Sequence, residues 1–284
     1  MVLKTQEMHK LHGIKSKVNN LQQEVRKRMW QQWENPMRHT RPAFLVGCGR
    51  SGTSMLVYHL GKSWRVDLYN ENNPAAFQNF RLRDLSVIED LVQRSFARVA
   101  LFKPILNTTE TLALLDRFPD ARVIFTFRHY SDVINSSIKK FGVMNRIGHV
   151  KAWIEEDFGE FTAYPPPEET KIYIRSNWTA GMSPESGAAL YWLFYNRLYF
   201  DQQLDQNERV LLVGYESLVS KPEREFRRIC QFLDIEFDPR FIEGVFASSV
   251  KHAMPANIAP VIQKECDELW IRLCKEIGAS PQLS

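Results

Sequence analysis

Several things are scarce in this 284-residue sequence, and each shortage narrows the reading. No apolar run approaches the ~20 residues that span a bilayer, so no transmembrane helix is expected. The opening MVLKTQEMHK lacks the apolar core of a secretory signal, and a soluble, cytoplasmic protein is expected. Cys48, Cys230, Cys266 and Cys274 form no CxxC pair and no metal-ligand spacing, so reduced thiols are the default. Neither sign of charge dominates. The formal net charge of +4 is too small to imply nucleic-acid binding, though it suits an anionic ligand. No internal repeat is apparent. What remains, with 44% hydrophobic and 25% charged residues, is a globular chain of ordinary size for one α/β domain.

The most informative absence is a single lysine. Phe44 to Leu56 reads FLVGCGRSGTSML, in which Gly47 and Gly52 have the GxxxxG spacing of a phosphate-binding loop. An ATP- or GTP-binding loop of this shape carries Lys after the second glycine, where its ammonium reaches the β/γ-phosphates. Here that residue is Thr53, and the nearest cation, Arg50, precedes Gly52 by two residues. The loop therefore suits an oxyanion other than a nucleoside triphosphate tail.

Around the loop the pattern is that of a parallel sheet. AFLVG, VALF, RVIFTF and RVLLVGY are short apolar β-rich runs, and SMLVYHLGK, TTETLALLDRF, YSDVINSSIKKF and KPEREFRRICQFL follow them as helices. Such alternation predicts an α/β three-layer sandwich with a central parallel sheet. Residues 1–41 stand apart as a basic amphipathic helical extension with nine Lys/Arg and three Glu. Leu11, Ile14, Val18, Leu21, Val25 and Met29 form one apolar stripe along it, spaced by three and four. Such a helix packs on its own domain, lies on an anionic membrane surface, or pairs with another copy. The remaining 42–284 read as a single domain with an inserted loop region around 142–184, where a triple proline at 165–167 forbids helix. The run from Ser186, SGAALYWLFYNRLYFDQQL, is aromatic nearly all round and reads as a buried helix.

In an open parallel sheet, ligands bind outside the carboxyl ends of the strands. Three cations fall there: Arg50 in the glycine loop, Lys103 after VALF and Arg128 after RVIFTF. Helix amino ends beside them already favour anions. One such cation would mean little, since a strand-end Lys reaches water and an Arg pairs with a surface carboxylate. Three, with a glycine loop, point to a polyanionic ligand. Ser136 lies eight residues past Arg128 on the following helix, placed to clamp a second, separate phosphate.

GRSGTS resembles the 5′-phosphosulfate loop of the sulfotransferases that use 3′-phosphoadenosine 5′-phosphosulfate (PAPS), and RHYSDVINSSIKKF is similar to their 3′-phosphate motif. LLVGYESLVSKPEREFRRICQFLDI resembles the strand, Tyr-Glu-x-Leu turn and helix found late in these enzymes. The resemblance runs in order from about Ala43 to Val250. It implies a P-loop NTPase-like sulfotransferase fold, PAPS as co-substrate and no metal. Arg50, Ser51, Gly52, Thr53 and Ser54 would hold the 5′ end and Arg128 and Ser136 the 3′-phosphate, with Lys103 neutralising sulfonate oxygens and Arg50 the bridging oxygen. The acceptor hydroxyl, on a glycan, a lipid-linked group or a small metabolite, stays open.

Two departures from that family matter. No His follows Lys103, where the cytosolic branch carries its base. Glu71, about twenty residues past the loop as in other branches, is nominated instead, with His59 as second candidate and His129 behind it. Met55 stands where an aromatic residue often stacks on adenine, and the basic glycine-rich segment over the 3′-phosphate is missing; Lys251, with Ser249, substitutes for it. The competing readings are a P-loop nucleoside or metabolite kinase, which needs the absent lysine and a Mg²⁺-holding carboxylate at a strand end, and a nucleotide-binding protein without turnover.

Overall fold

The computed structural model describes residues 22–157, 167–246, 250 and 257–281. A helix over residues 22–34 (α1) precedes β1 (Arg41–Gly47), α2 (Thr53–Leu60) and β2 (Val66–Tyr69). A small hairpin, β3 (Phe77–Gln78) and β4 (Arg81–Leu82), leads to α3 (Leu85–Arg94), β5 (Val99–Phe102), a 3-10 turn (Ile105–Glu110) and α4 (Thr111–Arg117). Then come β6 (Arg122–Phe127), α5 (Tyr130–Phe141), α6 (Met144–Glu155), α7 (Glu168–Asn177) and α8 (Pro184–Asp201). The chain finishes with β7 (Val210–Gly214), α9 (Tyr215–Ser220), α10 (Pro222–Leu233) and α11 (Pro260–Glu276).

The main sheet has the order β2-β5-β1-β6-β7, and every pairing in it is parallel. Strand residues alternate between two cores, as a period of two dictates. Phe44, Val46, Ala100, Phe102, Val123 and Phe125 enter one core, beneath α5, α8 and α11. Ala43, Leu45, Val99, Leu101 and Ile124 enter the other, beneath α2 and α10. Both faces are covered, which is why the strands read as continuous apolar runs rather than alternating ones. The expected three-layer α/β sandwich is the observed architecture. Because β1 lies between β5 and β6, the chain reverses direction across the sheet there, and the loop after β1 opens at that switch point.

The region 142–184 departs from the expected inserted loop. It holds α6 and α7, which pack against α8. Pro167 is the residue capping the start of α7, while Pro165 and Pro166 lie outside the described residues. On α6, Ile147, Val150 and Trp153 recur at helical spacing, and the Trp153 ring lies 3.9 Å from that of Phe194 on α8.

Helix α1 is tied to its own domain along one face. Lys27 pairs with Asp67 at 3.1 Å, Gln31 donates to Trp64 O at 2.7 Å, and Glu34 accepts from Arg65 and Arg98. Trp30 meets Trp64 edge-on. Val25, Met29, Trp33 and Met37 face outward. The earlier part of the stripe, Leu11 to Leu21, lies outside the described residues.

Candidate functional site

The loop between β1 and α2 is shaped by three left-handed residues. Gly47 has φ 118° and Gly52 has φ 82°, where side chains are disfavoured. A methyl at Gly47 would collide with the Thr126 carbonyl, and one at Gly52 would collide with the Tyr215 ring. Arg50 adopts φ 75° despite its side chain, a strain of about 1–3 kcal/mol of the kind that accumulates at ligand sites. The payoff is orientation. Arg50 Nε donates to Ser136 Oγ at 3.0 Å, so the glycine loop and α5 touch directly. Burial, and then the neighbouring Arg146 and Arg128, hold the Arg50 guanidinium below the usual arginine range. Several cations crowded together in a half-buried space favour an anion among them.

The loop backbone leads into α2, whose first residue, Thr53, is buried. Ser51 is buried too, and its Oγ has no hydrogen-bond partner among the described residues. Buried hydroxyls are rarely left unsatisfied, so this one fits a donor to a bound group. Ser54 is exposed on the outer side of the same turn. Cys48, inside the loop, is no nucleophile: burial pushes its thiol up to about 12.

Lys103 leaves the end of β5 and lies between two partners. Its Nζ is 2.6 Å from Glu71 Oε2 and 3.3 Å from Ser54 Oγ. Glu71 follows β2, the strand paired with β5, so adjacent parallel strands deliver acid and base to the same edge. Burial pushes the Glu71 carboxyl up and Lys103 pulls it down, with a net rise. It is therefore a stronger base than an ordinary carboxylate once free of its proton.

Arg128 leaves β6 and is almost fully buried. It pairs with Asp132 at 3.2 Å, one turn along α5, and its guanidinium lies 4.4 Å over the Tyr215 ring. Its carbonyl accepts from Trp192 Nε1 at 2.8 Å, so the aromatic helix α8 braces this strand end. Tyr215 thus lies beside both Gly52 and Arg128. Next to it, Glu216 accepts the His129 N–H at 2.9 Å, and burial pushes the Glu216 carboxyl up to about 7.

The other nominated residues fall elsewhere. His59 is buried against Phe226 on the opposite face of the sheet, with Lys62 Nζ 3.3 Å from its Nδ1. It is not brought to the Glu71–Lys103 pair. His129 caps α5, its Nδ1 2.7 Å from Ser131 Oγ and its ring edge-on to Trp270. Met55 packs with the core beneath α2. Lys251 and Ser249 lie outside the described residues. Among the described residues, no group of three or more His, Cys, Asp and Glu is arranged to hold a metal ion.

Two site residues escaped sequence reasoning. Tyr215 was visible only as part of a Tyr-Glu turn, with nothing local to say that its ring closes on Gly52. Arg146 sits on α6, where a loop was expected. A methyl at Gly49 would stand 3.3 Å from its Nη2, so it borders the glycine loop.

Residues 173–239 match a family model described as the sulfotransferase family. That span runs from within α7 through the Tyr215–Glu216 turn and past α10 to Pro239, and it excludes the glycine loop. No curated protein matches the chain. Among solved structures, the sulfotransferase domain from the curacin biosynthetic pathway aligns with a TM-score of 0.51 at 16% identity, covering 86% of this chain and 99% of that one. A sulfotransferase from Alicyclobacillus acidocaldarius aligns with a TM-score of 0.48 at 17% identity over 85% of this chain and 97% of its own. A mouse sulfotransferase complexed with PAP aligns with a TM-score of 0.46 at 14% identity, over 83% and 85%. The chain has the sulfotransferase fold.

Proposed function

We propose that the chain is a PAPS-dependent sulfotransferase that moves a sulfuryl group to an acceptor hydroxyl. One observation carries the reading: behind β1 and β5, Arg50 reaches Ser136 while Lys103 lies between Ser54 and Glu71. The result is a divided anion site with a base at one side. The family match over residues 173–239 and the fold support it. A triphosphate-binding kinase is not favoured, because Thr53 occupies the position of the loop lysine.

The residues present fit the donor. Ser51 offers a buried hydroxyl without a partner among the described residues, and the Gly52–Tyr215 contact leaves the loop no room to collapse. Arg50, Ser51, Gly52, Thr53 and Ser54 would hold the 5′ end. Arg128 and Ser136 would hold the 3′-phosphate, and Lys251 belongs to the same assignment. Bound PAPS supplies the sulfuryl group and a leaving phosphate oxygen.

The chain's own residues supply positioning, charge and proton transfer. Asp132 and Tyr215 fix the plane of Arg128. Arg50, strained and crowded by like charge, stabilises negative charge developing beside it. Glu71 takes the proton of the acceptor hydroxyl at a carboxylate oxygen. Lys103 stands between that base and the loop, within reach of charge on either side. The reaction class needs little more than such positioning. The acceptor is a small molecule, a glycan or a lipid-linked hydroxyl.

Calorimetry with 3′-phosphoadenosine 5′-phosphate (PAP), set against ATP with Mg²⁺, tests the donor. PAP is expected to bind more tightly, and Arg128→Ala to weaken PAP far more than adenosine 5′-phosphate. Tighter binding of ATP–Mg²⁺ overturns the assignment; equal losses remove Arg128 from the 3′-phosphate.

A further inference from the structure

Helix α1 has an inner face that the domain uses and an outer face that it does not. Lys27, Gln31 and Glu34 tie the inner face down, while Val25, Met29 and Trp33 recur every fourth residue on the outer one. Met37 follows in the turn after the helix. Among the described residues, Trp33 is the most exposed large apolar side chain, at 78%, and Met37 is next, at 74%. Single exposed apolar residues are ordinary, whereas contiguous ones mark a contact surface. With Met29 at 64% and Val25 at 51%, the four side chains expose roughly 500 Å² between them, comparable to the largest apolar patch on an ordinary monomer.

The charges around this ridge say what covers it. The acids of α1 are Glu24 and Glu34. Glu34 turns inward to Arg65 and Arg98, and Glu24 lines a recess with Lys27, Asp67 and Tyr69. The exposed Arg26 precedes Met29 by three residues and shares its face, and the exposed Arg28 stands on the opposite flank. An apolar ridge with guanidinium groups on its flanks fits the surface of an anionic bilayer. There a Trp ring settles at the headgroup level, and arginine stems lie along hydrocarbon while their heads reach phosphates. The inner contacts already hold the helix in place, so docking has little left to order. A second copy fits less well. The patch falls short of the about 800 Å² that each partner gives to a stable protein interface, and pairing two such faces sets arginine flanks against each other.

We propose that the outer face of α1 is a membrane-docking surface, seated on a bilayer with anionic headgroups and anchored by Trp33. Helix α1 is bonded to β2, the edge strand of the sheet, through Lys27 to Val66 O and Asp67. Glu71 follows the end of that strand, so the docked helix and Glu71 belong to one edge of the sheet. Docking needs no nucleotide, and it stands or falls apart from the sulfuryl-transfer reading.

Cosedimentation of the full chain with vesicles of phosphatidylcholine, with and without phosphatidylserine, is the test. Wild type is expected to sediment with the mixed vesicles at low salt and to be released as salt rises. Trp33→Glu should weaken that binding by about tenfold or more at unchanged Tm, since the side chain it replaces is exposed. Arg26→Gln combined with Arg28→Gln should weaken it several-fold on the mixed vesicles. The emission of Trp33, taken as the difference between wild type and Trp33→Phe, should shift to the blue when vesicles are added. Wild type that stays in the supernatant, or Trp33→Glu that sediments as well as wild type, overturns the proposal. So does a lipid-free dimer, seen by light scattering, that Trp33→Glu disperses, because the face then belongs to a second copy. Blue Trp33 emission before any lipid is added overturns it too, because the chain itself then covers the face.

Discussion

Glu216→Gln is the perturbation whose size follows most directly from the structure. The carboxyl is held near pH 7 by burial, against an ordinary value of 4.5, while the His129 N–H and Arg128 pull the other way. Between those values the unfolded chain has released a proton that the folded chain keeps. Raising the pH through this window therefore favours unfolding. The stabilisation is complete below pH 4.5, is lost as the pH climbs to about 7, and is absent above it. A difference of about 2.5 pH units corresponds to roughly 3 kcal/mol at about 1.4 kcal/mol per unit. Glutamine keeps the shape and the acceptor for the His129 N–H, and it does not titrate. Urea unfolding of both proteins from pH 4.5 to 8.5, with the difference in stability plotted against pH, cancels the groups common to both. The variant should gain roughly 3 kcal/mol on wild type across the window. Parallel curves would refute the argument, by showing that Glu216 ionises in the folded chain as it does in water.

Glu71→Gln should lower turnover by about 10²–10⁴-fold with PAP affinity unchanged, measured as PAP release with an acceptor that wild type uses. Because burial raises the Glu71 carboxyl, the acid limb of the wild-type pH–rate profile should lie above the ordinary carboxylate range; a limb at or below it removes Glu71 as the base. Gly52→Ala forces a methyl into the Tyr215 ring at φ 82°, and should lower Tm by several degrees and abolish PAP binding. Tyr215→Ala in the same chain should recover part of the stability, and no recovery would mean that the ring contact is not what Gly52 protects.

The sheet was legible because its strands are covered on both faces, so each appears as an unbroken apolar run. Helix α5 was read to its residue boundaries, as the run YSDVINSSIKKF that follows the strand-end Arg128. The three strand-end cations followed from the same topology. What the sequence hid were contacts between distant segments. That Lys103 meets Glu71 depends on β2 and β5 being neighbours, which no local pattern states. Arg146 was missed because α6 carries its apolar residues among polar ones, near prolines that suggested a loop. His59 was nominated by proximity in sequence, yet its helix turns it to the far side of the sheet, where Phe226 covers it.

The placement of Tyr215 also bears on how the protein is made. Its ring closes the glycine loop, and Trp192 braces the carbonyl of Arg128, yet both residues are synthesised long after the segments they support. A nascent chain with the loop already outside the ribosome still lacks the wall against which Gly52 rests. A ligand held by that loop would meet its complete wall only after Tyr215 has emerged, as a late clamp between β1 and the turn after β7.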